Sequence, residues 1–194
     1  IGYRVLAVGK ADSGREEYPK TQQEFDFEFL GLLAFYDPPK KGIDGVLESF
    51  YKAGINVKMI TGDYPQTASA IANQIGLQSK GKVLTGEEVL AFDQAELQQK
   101  VKETQVFARM FPEAKLRIVE ALKQNGEVVA MTGDGVNDGP ALKAAHIGIA
   151  MGKRGSEVAK SAAALVLMDD DLGHMVEAVA LGRKIYENLK KAIQ

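Results

Sequence analysis

The sequence predicts an α/β fold, a parallel sheet with helices on both faces. Three observations carry that reading. Short apolar runs alternate with stretches of helical period through most of the chain. The alternation sets in after Asp37-Pro38-Pro39-Lys40, where two prolines fix φ twice and remove two donors, giving a stiff connection. The third is Val128-Val129-Ala130-Met131, an apolar strand that breaks into Thr132-Gly133-Asp134-Gly135-Val136-Asn137-Asp138. Carboxylates at the C-terminal end of a core strand, just before a helix, lie on the sheet edge where α/β proteins bind ligands.

The elements follow in order. Tyr3–Val8 reads as a strand, 9–24 as a polar loop, and Phe25–Phe35 as a strand that becomes apolar and buried from Leu30. A domain boundary is placed at the prolines, giving 1–36 and 37–194. Ile43, Val46, Leu47 and Phe50 share one helix face, ended by Gly54. Ile55–Ile60 is a strand running into Thr61-Gly62-Asp63. Ala68, Ile71, Ala72 and Ile75 mark a second helix, stopped by Gly76. Thr85-Gly86-Glu87-Glu88 is a capping box opening a short helix, and Gln94–Lys102 is another. Thr104–Ala108 is a strand followed by Arg109, Pro112 and Lys115. Leu116, Val119 and Leu122 mark the helix closed by Gly126. After the loop at 132–138, residues 141–145 read as helix, 147–150 and 165–168 as short strands around a helix near 155–162, and Asp169-Asp170-Asp171 as the charged start of a long helix reaching about 193. Such alternation implies parallel strands with crossover helices.

Composition excludes several classes. A net charge of −2 over 194 residues gives no electrostatic case for nucleic acid. With no cysteine there is neither a disulfide framework nor a thiolate metal site, and two histidines make a His-rich zinc site a poor fit. No stretch approaches eighteen apolar residues, so no transmembrane helix is expected, nor is a signal peptide visible.

In a parallel sheet the three polar strand ends share one edge: Thr61-Gly62-Asp63, Arg109 with Lys115, and Thr132–Asp138. Backbone N–H groups, hydroxyls, a lysine and aspartates gathered there suit phosphoryl transfer, in which the protein positions groups and offsets charge. Thr61 and Gly62 donate to phosphoryl oxygens, Lys115 offsets their charge, and Asp134 holds Mg²⁺, a hard cation that takes oxygen ligands, with Asn137 and Asp138 completing its surroundings.

These residues resemble the haloacid dehalogenase-like phosphotransferases, and more narrowly the P-type cation-transporting ATPases. Met131-Thr132-Gly133-Asp134-Gly135-Val136-Asn137-Asp138-Gly139-Pro140-Ala141-Leu142 is similar to that family's magnesium loop, with glycine at 139 where alanine is usual. Asp37-Pro38-Pro39-Lys40 resembles its interdomain hinge, Thr61-Gly62-Asp63 its second phosphate motif, and Lys115 its phosphate-contacting lysine. The run from Asp169 to Asn188 looks more like the calcium, sodium/potassium or proton pumps than the heavy-metal branch.

The resemblance implies a haloacid dehalogenase-like domain at 37–194 behind the end of a nucleotide-binding domain at 1–36. It implies Mg²⁺ at Asp134 and Asp138, with Thr61, Gly62, Asp63, Lys115, Asn137 and Asp138 at the reaction centre. It also implies ATP as co-substrate of the whole pump, contacted by Arg109 together with Thr61, Gly62, Asp63 and Lys115. The family's Asp-Lys-Thr-Gly-Thr motif, which carries the phosphate-accepting aspartate, is absent from the 194 residues. The expectation is therefore a soluble segment, lacking the first core strand, from the cytoplasmic side of a membrane pump, unable to form a phosphoenzyme by itself. Its partners would be ATP, Mg²⁺ and the pump's remaining domains and membrane helices, with self-association through an open sheet edge as a further possibility. The alternatives are a soluble phosphatase of the same fold and a stand-alone Mg²⁺- or phosphate-binding module.

Other features read as structural. His146 and His174 have no partner at ligand spacing, Met59, Met131 and Met168 fill strand positions in a core, and Asp169–Asp171 complements a helix dipole. Gly148–Lys153 fails as a P-loop, because Arg154 stands where Ser or Thr is needed.

Overall fold

A computed structural model describes residues 3–11 and 20–193; part of the expected loop, 12–19, lies outside the described residues. The chain divides between Pro38 and Pro39 into two compact units. The first contains an antiparallel hairpin of β1 (Arg4–Lys10) and β2 (Glu28–Phe35), with an irregularity between Val8 and Gly9. The run expected as a buried strand forms the strand without the burial: Phe29, Leu30, Leu32, Leu33 and Phe35 are 52–65% exposed. A two-stranded ribbon has two faces and no second layer of its own, so it cannot bury both sets of side chains.

The second unit alternates strands and helices: α1 (Ile43–Lys52), β3 (Met59–Ile60), α2 (Pro65–Gln74), β4 (Val83–Thr85), α3 (Gly86–Ala91), α4 (Gln94–Glu103), β5 (Val106–Ala108), α5 (Pro112–Gln124), β6 (Ala130–Gly133), α6 (Gly139–Ala144), β7 (Ile147–Met151), α7 (Glu157–Ala162), β8 (Leu165–Leu167) and α8 (Gly173–Ile193). Local chemistry sets the ends. Proline opens α2 and α5 at positions where no N–H is needed. Thr85 and Glu88 form the expected reciprocal capping box. The Ser156 hydroxyl accepts from the Ala159 amide to start α7.

All pairings in this unit are parallel, as expected, but the strands form two three-stranded sheets, ordered β3-β5-β4 and β6-β7-β8. β3 and β6 are each an edge strand of their sheet, and no described strand joins them. Both end in candidate ligand loops. Ile60 of β3 nonetheless packs against the core that holds Phe107 and Ile118 and against the one that holds Met131 and Leu142. Successive residues of β5 point to opposite faces. Phe107 joins Val101 of α4 and Ile118 of α5, whereas Val106 and Ala108 join Leu47 of α1 and Ala68 and Ala72 of α2. Helices thus cover both faces of that sheet.

Four local expectations change. β4, a strand the sequence reading did not include, pairs in parallel with β5, and its Val83 and Leu84 pack on the cores to either side. Only Met59 and Ile60 of the run from Ile55 are in a strand. Val128, expected inside, is 80% exposed, because β6 starts two residues later. Met131 is buried, but Met168 is 77% exposed, just past the end of β8. Val176, Val179 and Ala180 of α8 line an open pocket together with Phe50, Ala53 and Ile55, and Arg183 donates to the Ala53 carbonyl at 2.7 Å. Leu181, Ile185, Tyr186 and Leu189 of the same helix stay exposed. No described helix is long and apolar enough to cross a membrane.

Candidate functional site

The end of β3 is stitched to the end of β5. The Thr61 amide donates to the Phe107 carbonyl at 2.9 Å, the Met110 amide to the Thr61 carbonyl at 3.0 Å, and the Arg109 amide to the Asp63 carbonyl at 2.8 Å. The Asp63 amide donates to Thr61 Oγ1 at 3.1 Å. Arg109 takes a positive φ of 53° to make this connection, an uncommon backbone state for a residue with a side chain. Its guanidinium lies 4.7 Å from the Tyr64 ring centroid, a cation–π pair. Gly62 is exposed and does not need its glycine for packing: the nearest atom to an added Cβ would be the Met110 carbonyl oxygen at 4.0 Å. A backbone that stays bare where the fold has room for a side chain leaves space for a ligand to approach.

The loop after β6 is built around one carboxylate. Asp138 ends a 3-10 turn, Val136–Asp138, and is 7% exposed. Its Oδ1 accepts from Lys115 Nζ at 2.7 Å. Its Oδ2 accepts the amides of Asp134 at 3.2 Å and Gly135 at 3.1 Å. Gly133 is obligatory here, since a Cβ would lie 2.5 Å from Asp138 Cβ. Lys115 sits in the first turn of α5, opened by Pro112, and reaches from the crossover after β5 to the loop after β6. The resulting ion pair is nearly buried, and such charge-assisted bonds are strong when geometry holds them.

The remaining residues of the loop point outward. The Asp134 side chain is exposed, as is Asn137, and among the described residues no hydrogen bond or ion pair reaches the Asp134 carboxylate. The Asp134 carbonyl accepts from the Ser156 amide at 2.7 Å, which ties this loop to the one after β7. The oxygen-only donors fit a hard cation. The expected pair of metal carboxylates divides its work: Asp134 faces out, and Asp138 is occupied by lysine and amides.

A second acidic corner follows β8. Asp169 Oδ1 lies 3.2 Å from His174 Nδ1, and Asp169, Asp171 and His174 are close enough to share one ion. His174 therefore has a partner, contrary to the reading from spacing, because the turn at 169–173 folds the helix start back on the aspartates. The hydrogen bond and charge of Asp169 raise the His174 pKa above its ordinary value. Asp169 is held below the usual carboxylate range by the Asp171 amide and then His174, against the opposing effect of burial. Asp171 Oδ1 accepts the Gly173 amide at 2.8 Å, as a helix-start residue should.

Asp170 does something different from its neighbours. It is 4% exposed with φ 62°, and its carboxylate accepts the Lys153 and Arg154 amides at 3.0 and 3.1 Å. Burial works against its ionisation, yet the amides and the Lys40 charge keep its pKa low. The reading of all three aspartates as one dipole cluster missed this. The only hint in the sequence is that a helix start seldom needs three. His146, the other histidine, accepts the Val129 amide at Nδ1, 3.1 Å away, and so holds the chain entering β6.

A family model described as haloacid dehalogenase-like hydrolase matches residues 4–146. A calcium-transporting ATPase of Listeria monocytogenes is 46% identical over 192 residues, 98% of this chain and 22% of that protein. A calcium-transporting ATPase of Bacillus subtilis is 44% identical over all of this chain and 21% of its own length. The human calcium-transporting ATPase type 2C member 1 is 46% identical over all of this chain and 20% of its own length. The chain thus spans about a fifth of the length of these relatives.

Proposed function

The chain belongs to the haloacid dehalogenase-like hydrolases, and from that premise we propose that it is the phosphorylation-domain segment of a P-type cation-transporting ATPase, with residues 1–36 contributed by the adjoining nucleotide-binding domain. In the whole pump, ATP would phosphorylate an aspartate lying outside these 194 residues, and the aspartyl-phosphate would drive cation transport. The strand carrying that aspartate would lie between β3 and β6, the two sheet edges whose loops hold the candidate residues.

The roles follow from what each side chain touches. The observation that carries the reading is the Lys115–Asp138 pair, whose carboxylate also gathers the Asp134 and Gly135 amides. This arrangement fixes the loop and leaves the Asp134 carboxylate turned out to hold Mg²⁺. When bound, Mg²⁺ supplies positive charge to the transferring phosphoryl oxygens. Thr61 and Gly62 present a hydroxyl and an uncluttered backbone to the same phosphoryl group, while Asp63 keeps the turn stitched to Arg109. Lys115, already neutralised on one side by Asp138, orients its charge toward the phosphoryl group, and Asn137 supports the metal surroundings. Arg109 and Tyr64 form an exposed planar surface suited to a nucleotide. The lysine, the amides and the ion act by positioning and charge offset, the main source of rate in phosphoryl transfer.

Calorimetric titration with Mg²⁺, with and without a phosphate mimic, tests the metal assignment. The native chain is expected to bind Mg²⁺ more tightly when the mimic is present, and Asp134→Ala to bind neither measurably. Identical titrations for the two proteins would remove the metal role from Asp134.

A further inference from the structure

We propose that Asp170 is a positioning residue that ties the segment following the two prolines to the loop carrying Asp134. Three consecutive connections make the tie. Lys40 Nζ, two residues past the division at Pro38, donates to the Asp170 carbonyl at 2.6 Å. The Asp170 carboxylate takes the Lys153 and Arg154 amides. Ser156, two residues further on, donates its amide to the Asp134 carbonyl at 2.7 Å.

Each connection is short and ends on a backbone group, and the last, from Ser156 to Asp134, runs from backbone to backbone. The segment between them is also unable to give. A Cβ on Gly152 would lie 2.6 Å from the Leu167 carbonyl oxygen, and one on Gly155 would lie 1.9 Å from that of Met151. The loop is packed backbone against backbone, and moving the amides of Lys153 and Arg154 must move Ser156. Asp170 holds its amides from a left-handed backbone conformation that is unfavourable for a residue with a side chain. That conformation presents the carbonyl to Lys40 and the carboxylate to the loop at the same time.

The consequence is reciprocal. A pull on Lys40 changes how firmly the Asp134 loop is held, and a ligand that orders the Asp134 loop changes how firmly Lys40 is held. Asp170 thus acts through other groups on the site proposed above, and its effect on metal binding rests on that reading. The connection itself does not.

The test replaces Lys40, an exposed residue, by Met in the full chain and follows amide hydrogen exchange by NMR. Exchange at Lys153, Arg154 and Ser156 should rise by about 2- to 30-fold, the span expected of coupling through such networks. Lys40→Arg, which keeps a donor, should restore slow exchange, and the β5 amides should be unaffected in both. Asp170→Asn, which turns an NH2 group toward one of the two amides, should raise exchange at Lys153 or Arg154 at least as far as Lys40→Met does. Unchanged exchange at Ser156 in Lys40→Met would overturn the inference. So would exchange that rises equally in β5, because that is global loosening. In a parallel arm, Mg²⁺ should bind Lys40→Met more weakly than the native chain; equal affinity alongside faster Ser156 exchange also overturns it. If the native chain binds no Mg²⁺, the metal assignment of Asp134 fails, and the exchange result alone decides the connection.

Discussion

The loops after β6 and after β8 are both rich in aspartate, lie on the same edge of one parallel sheet, and are put together by opposite means. Each turns one carboxylate in: Asp138 is 7% exposed and Asp170 is 4% exposed. Asp138 meets an ammonium, that of Lys115, and two amides of its own loop. Asp170 meets two amides of a different loop. The outward carboxylates differ more. Asp169 and Asp171 are committed to a histidine and to backbone amides at the start of α8. No described bond engages the carboxylate of Asp134. An acidic loop can thus be complete in itself or can leave a ligand position open, and what its outward carboxylates meet decides which.

The largest effect should come from breaking the inward pair after β6. Asp138→Ala leaves the Lys115 ammonium nearly buried without a counter-charge and frees two amides. Removing one partner of a buried ion pair costs about 3–5 kcal/mol, and the residual exposure of Lys115, 14%, places this case toward about 3 kcal/mol. Lys115→Met should cost less, since Asp138 keeps its two amides. Urea unfolding with an unchanged slope measures both. Equal losses for the two variants would mean that the lysine, not the amides, sets the position of Asp138.

Gly133→Ala sharpens the same comparison from the backbone side. The new Cβ would sit 2.5 Å from Asp138 Cβ and 2.8 Å from its Cγ, atoms that cannot swing away as a flexible side-chain end would. The turn must shift, at about 1–3 kcal/mol. At Gly135 the nearest atom is 3.6 Å away, so Gly135→Ala should be close to neutral by the same unfolding measurement. Equal destabilisation at both positions would show that the loop, rather than the contact with Asp138, resists substitution.

Much of this arrangement is legible in the sequence wherever the signal is local. The helix faces of α1, α2 and α5 follow from apolar spacing, the start of α3 from Thr85 and Glu88, and the parallel strands from the alternation. The chemistry of the strand ends follows from residue type, with the resemblance adding roles to positions. What stays hidden depends on long-range partners. β4 is a strand because β5 lies beside it, and the apolar pattern of β2 describes a sheet face without saying what covers it. Asp170 is indistinguishable from Asp169 in a run of three aspartates until the loop at 152–156 is folded against it. Splitting of the expected sheet between β3 and β6 likewise depends on which strands are side by side, a property of no single segment.

The smallest effect belongs to the outward side of the second corner, where the His174–Asp169 pair stands in solvent, and surface ion pairs of this kind contribute little. The sign of its pH dependence is fixed all the same. Asp169 raises the His174 pKa, so the folded chain binds more protons than the unfolded chain in the interval between the ordinary histidine value and the raised one. The stabilisation is fully present below the ordinary value and is lost as pH rises through the raised one. Asp169, with its pKa lowered, gives a contribution that is present above the ordinary carboxylate range and disappears as pH falls through the lowered value. The pair should therefore help most in mildly acidic solution, between these two limits. An NMR titration of the His174 ring should show its midpoint moving down in Asp169→Asn, with the ring at His146 as an internal reference. A midpoint that stays where it was would separate His174 from Asp169 and leave the second corner held by backbone amides alone.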